Sequence, residues 1–203
     1  MFSYTRNRSL KKLIFGGSNG VANKEMKLLP DTLGQLVNLE QLVLDQCKAL
    51  QTLPDSIGQL KKLTVLHMRA CKSLSSLPDS IGNCTNLIDV SLSKCGALEA
   101  LPDSIGNWTE LEDLSLMKCK SLTQLPASIG NCKKLSFLSL RSCVKLESLP
   151  STLEELSRVR TLDLAMCDNL KMVPTWLVGA SWRMDPIDLS RRVKEKARDT
   201  MEE

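Results

Sequence analysis

The residues with the greatest potential for chemistry in this sequence are its eight cysteines, which could form disulfides, bind a metal or act as thiolate nucleophiles. Six of them recur at intervals of 24 residues, and Cys84 and Cys132 occupy a second position of the same period, where other copies have leucine or tryptophan. Both positions are typical of an apolar core. We predict buried free thiols, with disulfides and metal binding as the alternatives. The six are Cys47, Cys71, Cys95, Cys119, Cys143 and Cys167.

Successive cysteines of a stacked repeat would lie about 4.8 Å apart, but side chains stacked in parallel do not point at each other as a disulfide requires. Reduced thiols are typical of the cytosol, so we predict a cytoplasmic protein. The first twelve residues carry four bases, and no acid occurs before Glu25; this start weakly resembles an organellar transit peptide, which is the alternative. The sequence has no apolar run of about 18 residues, so no membrane span is predicted.

The single histidine, His67, is the other candidate for chemistry. A zinc site would lack a second histidine, so no metal site is predicted. A triad with Ser91 and Asp163 is excluded, because Asp163 belongs to a strand four repeats away, about 19 Å by strand spacing. A ubiquitin ligase would need a cysteine outside the repeat register, and there is none. We therefore predict no catalytic residue, no cofactor and no enzyme activity.

One repeated skeleton must position these residues. Leucine-proline or a close substitute ends each copy, and the prolines are 24 residues apart, a period typical of a solenoid. Each copy opens with alternating apolar and polar residues, the pattern of a short strand with one buried face. The proline prevents the strand from continuing because it lacks an N–H donor. The prolines are Pro30, Pro54, Pro78, Pro102, Pro126, Pro150 and Pro174.

The segment after each proline, DSIGQL or DSIGNC in the central copies, predicts a one-turn helix that is too short to be an α-helix. Its aspartate or serine is expected to cap the turn, its isoleucine to point inward and its glycine to end it. A single copy cannot bury enough apolar surface to offset the entropy of ordering it, so the copies must stack on one another.

This pattern divides the chain into three parts. Residues 1–38 form a degenerate N-terminal copy or cap, in which Leu10, Leu13 and Phe15 fit the opening of the repeat before a five-residue insertion. Residues 39–178 hold six regular 24-residue copies, the last of them partial. Residues 179–203 form a charged tail that we expect to be helical, either frayed or binding a partner.

The pattern L-x-x-L-x-L-x-x-C-x-x-L-x-x-L-P-x-x-I-G resembles the leucine-rich repeat family, in the version with cysteine where many members have asparagine. More narrowly, SLxxLPDSIGN repeated every 24 residues resembles the repeat domains of plant intracellular nucleotide-binding immune receptors, including those with a Toll-receptor-like amino-terminal domain. The match covers about residues 10–178. The resemblance implies an α/β solenoid, a horseshoe with one short parallel strand per repeat on the concave face and short helical turns on the convex face. It also implies that the cysteines bond loop backbone and that the concave face recognises the ligand.

The sequence departs from those receptors because it contains no G-x-x-x-x-G-K-[ST] loop, so nucleotide binding is not carried over to this chain. We predict a non-enzymatic protein–protein recognition module, the sensing or autoinhibitory repeat part, or a truncated relative, of a plant disease resistance protein. The alternative is a free-standing intracellular scaffold of the small-GTPase-associated type, whose usual 23-residue period counts against it. The N-terminal copy lacks an obvious polar cap, which favours a fragment or a shortened gene product.

The candidate binding site consists of the outward strand positions, which vary between copies while the leucine skeleton does not. Six strands would offer about 24 to 30 exposed residues, the size of one side of a protein interface. The loop lysines Lys48, Lys72 and Lys120 extend this face as a basic rim, either a solvated edge or a site for an acidic partner. Nucleic acid is not favoured, because Phe137 is the only aromatic residue on the face. The site residues are Gln41, Val43, Asp45, Val65, His67, Arg69, Asp89, Ser91, Ser93, Lys94, Asp113, Ser115, Met117, Lys118, Phe137, Ser139, Arg141 and Asp163.

Overall fold

The computed structural model describes residues 9–16 and 24–171. Within them, seven three-residue strands form one parallel sheet in chain order. The predicted tail over residues 179–203 lies outside the described residues, as does most of the insertion in the first copy. The strands are β1 (Lys12–Ile14), β2 (Gln41–Val43), β3 (Val65–His67), β4 (Asp89–Ser91), β5 (Asp113–Ser115), β6 (Phe137–Ser139) and β7 (Thr161–Asp163).

A 3-10 helix of five residues follows each Leu-Pro turn, and between β2 and β7 each residue pairs with its equivalent 24 positions later. The predicted solenoid is confirmed, with the strands on the concave face and the helical turns on the convex face. The prediction that the turns are too short to be α-helices is also confirmed. They are η1 (Asp31–Gln35), η2 (Asp55–Gln59), η3 (Asp79–Asn83), η4 (Asp103–Asn107), η5 (Ala127–Asn131) and η6 (Ser151–Glu155).

One aliphatic core runs between the sheet and the helical turns. In a typical repeat, Leu66 of β3 points inward between two outward-facing neighbours, while Leu74 and Ile81 reach the same core from the loop and from η3. All three side chains are fully buried. Stacking is required because each copy covers the leucines of the next, so the burial belongs to pairs of repeats rather than to single ones.

The cysteines join neighbouring repeats. The Cys71 thiol donates a hydrogen bond to the Leu44 carbonyl oxygen at 3.1 Å, and Cys95 does the same to Met68 at 3.0 Å. The second row follows the same rule: Cys84 donates to Ile57, 27 residues earlier in the chain. All eight thiols are free and buried, which confirms the predicted core positions. The expected bond to loop backbone is also confirmed, and it crosses between repeats.

Alkaline pH is expected to destabilise the fold through these thiols. Burial raises the pKa of Cys84, Cys132 and Cys167 to about 11 and that of Cys143 to about 12, whereas an unfolded thiol ionises near about 8.5. The folded chain therefore binds more protons, and its stability is complete below about pH 8.5 and is lost as the pH rises toward 11. Urea unfolding at about pH 8 and about pH 10 measures the loss, which we expect to reach on the order of 1 kcal/mol per thiol.

The double variant Cys84→Leu and Cys132→Leu serves as its control, since other copies carry leucine at these positions. Its stability should fall less steeply with pH than that of the wild type, because two of the raised pKa values are gone. An equal slope in both proteins would show that these thiols do not contribute to the pH dependence.

The start of each helical turn differs from the sequence-based expectation. The residue before η2 is Pro54, in extended backbone, and no side chain caps the turn. The Ile57 N–H donates to the Pro54 carbonyl oxygen at 2.9 Å instead. The prediction that the aspartate caps the turn was wrong, because the chain enters through the Leu-Pro turn and Asp55 is already the first helical residue.

The glycines do not end the turns either. Gly82 is the fourth of five residues in η3, and a Cβ placed on it would overlap the Ser104 carbonyl oxygen of the next turn. Gly58 and Gly106 meet the following turn in the same way. Glycine is therefore needed because adjacent turns approach each other closely, not because the helix stops there.

A left-handed residue follows each strand from β2 to β7. Ala70 has a φ of 60° and Lys94 a φ of 66°, although neither is glycine. From Gln46 to Ser142 the conformation turns the N–H toward the next repeat, where Ala70 donates to the Ser93 carbonyl oxygen at 2.8 Å. None of the six positions carries the glycine or asparagine that would have predicted this conformation. The six residues are Gln46, Ala70, Lys94, Lys118, Ser142 and Met166.

We expect Ala70→Gly to stabilise the protein. A left-handed conformation costs a residue with a Cβ about 1–2 kcal/mol, and the greater freedom of glycine in the unfolded chain returns about 0.5–1 of this. The net gain in the free energy of unfolding is about 0.5–1 kcal/mol, measured by urea titration. Ala100→Gly, at an exposed residue outside the left-handed region, is the matched control and should lose a similar amount. Losses in both variants would refute the strain at Ala70.

Candidate functional site

The parallel register aligns the outward strand residues in two columns. One contains Gln41, Val65, Asp89, Asp113 and Phe137, and the other joins Val43, His67, Ser91, Ser115, Ser139 and Asp163. All eighteen site residues named from the sequence therefore lie on these strands or in the loop directly after a strand. Together they form one continuous surface, which we call the strand face.

The residues of the strand face differ in accessibility. Ser91, Ser93 and Ser139 are buried, with at most 7% of their surface exposed, so they form a floor rather than projecting from it. The Ser93 hydroxyl contacts the Ser115 hydroxyl at 2.7 Å and lies 3.5 Å from that of Ser91. Arg69, Lys94, Asp113 and Lys118 are exposed, and the remaining site residues are half-buried.

A chain of polar contacts fixes the side chains at the centre of this surface. The Asp45 carboxylate accepts a hydrogen bond from the Arg69 backbone N–H at 2.8 Å and lies 3.6 Å from its guanidinium. Arg69 in turn lies 3.1 Å from His67 Nδ1, and His67 Nε2 lies 2.8 Å from the Asp89 carboxylate. Arginine can only donate, so Nδ1 accepts and the ring proton is on Nε2. His67 is thus held as a connector between charged residues.

Acidic residues collect where the strands begin. Asp113 lies directly beside Asp89 in the register. Partial burial raises the pKa of the Asp113 carboxyl, and the negative charges of Asp89 and Glu112 raise it further. Asp89 accepts a hydrogen bond from His67 Nε2, whereas Asp113 has no basic partner within the described part of the chain. The beginnings of the central strands therefore carry negative potential.

Lysines collect where the strands end. We call five of them the lysine edge; all are exposed, and none of their ammonium groups has a hydrogen bond or ion pair with another described residue. The positive side of the strand face thus lies opposite its acidic side, across only three strand residues. The lysine edge consists of Lys48, Lys72, Lys94, Lys118 and Lys120.

A groove of about 1200 Å³ follows the ends of the first five strands. Residues of both the strand face and the lysine edge line it, together with Lys12, Ile14 and Gly16 of the first copy. The site predicted from the sequence omitted these three. The signal was present, because the fit of Leu10, Leu13 and Phe15 to the repeat pattern implies that Lys12 and Ile14 point outward.

The possible metal ligands of residues 9–16 and 24–171 do not cluster. No group of three or more histidine, cysteine, aspartate or glutamate side chains there could hold a metal ion. In the same residues, no helix has the length and apolar character needed to cross a membrane.

Comparison with solved structures identifies the architecture. The leucine-rich repeat domain of the type III effector XopL aligns with a TM-score of 0.56 and 22% identity, over 84% of this chain and 75% of that one. A plant ice-binding protein aligns with a TM-score of 0.58 and 22% identity, over 80% and 52%. The Arabidopsis receptor kinase HAESA, solved with the peptide hormone IDA and the co-receptor SERK1, gives 0.51 and 24%, over 80% and 31%.

The fold is that of leucine-rich repeat proteins. This chain spans about a third of the HAESA chain and about half of the ice-binding protein. Each of these similarities is below 25% identity and therefore concerns the fold alone. No protein-family model matches the sequence, and comparison with curated proteins gives no match.

Proposed function

We propose that this chain is a non-enzymatic protein-recognition module that binds its partner on the strand face, as the sensing or autoinhibitory repeat part of a plant disease resistance protein. The observation that carries the proposal is the contrast between the two sides of the sheet. Inward positions are occupied almost without exception by leucine, whereas the outward positions of the same strands include aspartate, histidine, serine and phenylalanine.

The strand face has properties that a protein partner requires. It combines exposed charges with half-buried apolar residues such as Val65, Met117 and Phe137, a mixture typical of non-obligate interfaces. Its central side chains are already held by the contacts around His67, so ordering them on binding costs little entropy.

The immune-receptor part of the proposal is supported by the motif SLxxLPDSIGN at a strict period of 24 residues. A cytoplasmic location is supported by the eight buried thiols, which remain free even though equivalent cysteines stack in one register. XopL and HAESA carry the same fold in a bacterial effector and in a peptide-hormone receptor. The HAESA structure is a complex with a peptide hormone and a co-receptor, which supports recognition of a protein or peptide, and the motif is what favours immunity.

Site-specific photo-crosslinking tests the binding surface. A photoreactive amino acid at Met117, on the strand face, should crosslink to a protein partner in plant extract. The same group at Gln59, exposed at the end of η2 on the convex face, should not. The double variant Arg69→Ala and Arg141→Ala should then weaken binding of the identified partner while the protein stays folded. Equal crosslinking from both positions would contradict the strand face as the site.

The 5′ end of the transcript tests the immune-receptor assignment. We expect a nucleotide-binding domain with a G-x-x-x-x-G-K-[ST] loop encoded in frame upstream of Met1. A stop codon directly upstream of Met1 in the transcript would instead favour a stand-alone binding protein.

A further inference from the structure

The lysine edge differs from those lysines of the described chain whose side chains have a partner in a neighbouring repeat. Six lysines elsewhere reach a carboxylate, an amide or a backbone carbonyl of a neighbouring repeat, as Lys62 does with Asn38 and Lys134 with Glu110. The solenoid therefore readily allows pairing between repeats, but the lysine edge makes no use of it. The six paired lysines are Lys11, Lys61, Lys62, Lys133, Lys134 and Lys171.

The unpaired charges are also close together. Lys48 and Lys72 occupy the same position of adjacent repeats, and so do Lys94 and Lys118. Adjacent repeats are about 4.8 Å apart at the sheet, and like charges at adjacent positions repel each other. A single glutamate at one of these positions would relieve the repulsion. The charge is thus a cost to the free protein that bound carboxylates would remove.

Gly96 leaves a gap in this edge. It occupies the position of Lys48, Lys72 and Lys120 in its own repeat, and a Cβ placed on it would meet no atom within 4 Å. The backbone does not require glycine there, because Gly96 has no left-handed φ. The missing side chain therefore leaves open space in the middle of the edge.

The dimensions of the edge suit a short extended peptide. Three repeat steps separate Lys48 from Lys120, which is about 14 Å at about 4.8 Å per step. An extended chain covers this distance with about five residues. Such a segment can present carboxylates to lysines on both sides of Gly96 while its backbone lies in the gap.

We propose that the lysine edge binds an extended acidic segment of the protein partner, with its backbone over Gly96 and its carboxylates on the flanking lysines. This inference rests on the proposed function, because it assigns one side of the strand face to one part of the partner. The acidic beginnings of the central strands, with Asp89 and Asp113, repel the same segment and so fix it at the strand ends.

A protein segment fits this edge better than a nucleic acid strand does. Asp45 lies in the same groove, and Asp89 and Asp113 lie across the strands from it, so a continuous phosphate backbone would meet negative charge. Single-stranded nucleic acids also bind through stacking on aromatic rings. Phe137 is the only aromatic residue on the described strands, and it lies at their acidic side.

Fluorescence anisotropy with labelled probes tests the proposal. The probe is a peptide of about twelve residues that alternates glutamate and serine, and the control peptide replaces glutamate with glutamine. The full chain should bind the acidic probe more than about tenfold tighter than the control peptide. The affinity should fall by about tenfold or more between about 50 and about 300 mM NaCl, because exposed ion pairs are screened.

Two four-site variants separate the edge from the overall charge. Lys48, Lys72, Lys94 and Lys118 are changed to glutamine in one, and Lys61, Lys62, Lys133 and Lys134 in the other. Each variant lowers the formal net charge from +4 to 0, since four positive charges are removed. The affinity of the first variant for the probe should be at least about tenfold lower, because each exposed ion pair raises the affinity by a factor of up to about five. The second should stay within about twofold of the wild type.

Equal losses in both variants would overturn the proposal, because net charge and not the edge would then bind the probe. Failure of the acidic peptide to bind at low salt would overturn it as well. An oligothymidylate of equal charge that binds more tightly than the peptide would assign the edge to nucleic acid instead. Thermal unfolding of each variant verifies that the binding losses do not come from unfolding.

Two substitutions of Gly96 test the assigned position of the peptide, because a Cβ meets no other atom within 4 Å there. Gly96→Glu should weaken binding of the acidic peptide by repulsion and by filling the gap, and Gly96→Ala should weaken it less. Equal affinity in the two variants would contradict the assigned position of the peptide. If the partner found by crosslinking at Met117 binds all edge variants normally, this inference fails while the proposed function stands. If the acidic peptide binds but no partner crosslinks through the strand face, the proposed function fails, while the lysine edge is still a site for acidic peptides.

Discussion

Replacing Trp108 with alanine is expected to lower the free energy of unfolding by about 4 kcal/mol, within the usual range for a buried tryptophan. Trp108 is fully buried, and its indole N–H donates to the Ile81 carbonyl oxygen of the preceding repeat at 3.1 Å. The variant would leave a cavity between two repeats, and the Ile81 carbonyl oxygen would keep only its hydrogen bond from the Cys84 backbone N–H. Urea unfolding followed by circular dichroism measures the loss without relying on tryptophan fluorescence.

Trp108→Leu is the matched control. Leucine occupies the same position in other copies, at Leu36, Leu60 and Leu156, so the backbone accommodates it. The smaller cavity should cost about 2 kcal/mol. A loss below about 1 kcal/mol for the alanine variant would mean that the neighbouring repeats close the cavity, and the tryptophan would then not be a support of the central core.

Gly82→Ala has the second largest expected effect, a loss of about 3 kcal/mol, at the upper end of the range for overpacking. The new Cβ would overlap the Ser104 carbonyl oxygen and lie 2.5 Å from the Ser104 Cβ. The carbonyl belongs to the backbone of η4 and cannot rotate away. The two turns must therefore separate, which disturbs the stacking of both repeats.

Gly96→Ala is the comparison that isolates this contact. The same methyl group enters open space there, so the stability should stay equal or rise by up to about 1 kcal/mol through the reduced freedom of the unfolded chain. Denaturant unfolding of the two variants side by side gives the difference. Similar losses at both glycines would contradict close approach as the reason for glycine in the helical turns.

The sequence alone was sufficient for the solenoid. Its period, the alternating leucines and the Leu-Pro turns predict short parallel strands and one-turn helices, because both are local patterns that each copy repeats. The columns on the strand face followed as well: a fixed period and a parallel sheet leave one register, which brings His67 next to Val43 and Ser91. The core positions of the cysteines were predictable for the same reason.

Contacts between copies were decided by the tertiary structure. The carbonyl that receives the Cys71 thiol lies in the preceding repeat, and the close approach that requires Gly82 involves the following one. Neither has a local signature, because the partner atom is backbone and is the same for any residue type. The left-handed conformation of Lys94 is imposed likewise by a hydrogen bond to the next repeat, against its own preference.

The candidate site divides in the same way. The sequence determined which residues face outward, because strand alternation fixes the direction of each side chain. It did not determine which charges compensate each other, because pairing depends on side-chain geometry across repeats. Only the tertiary structure joined Asp45, Arg69, His67 and Asp89 and left the lysine edge unpaired, since these distances exist only once the copies are stacked.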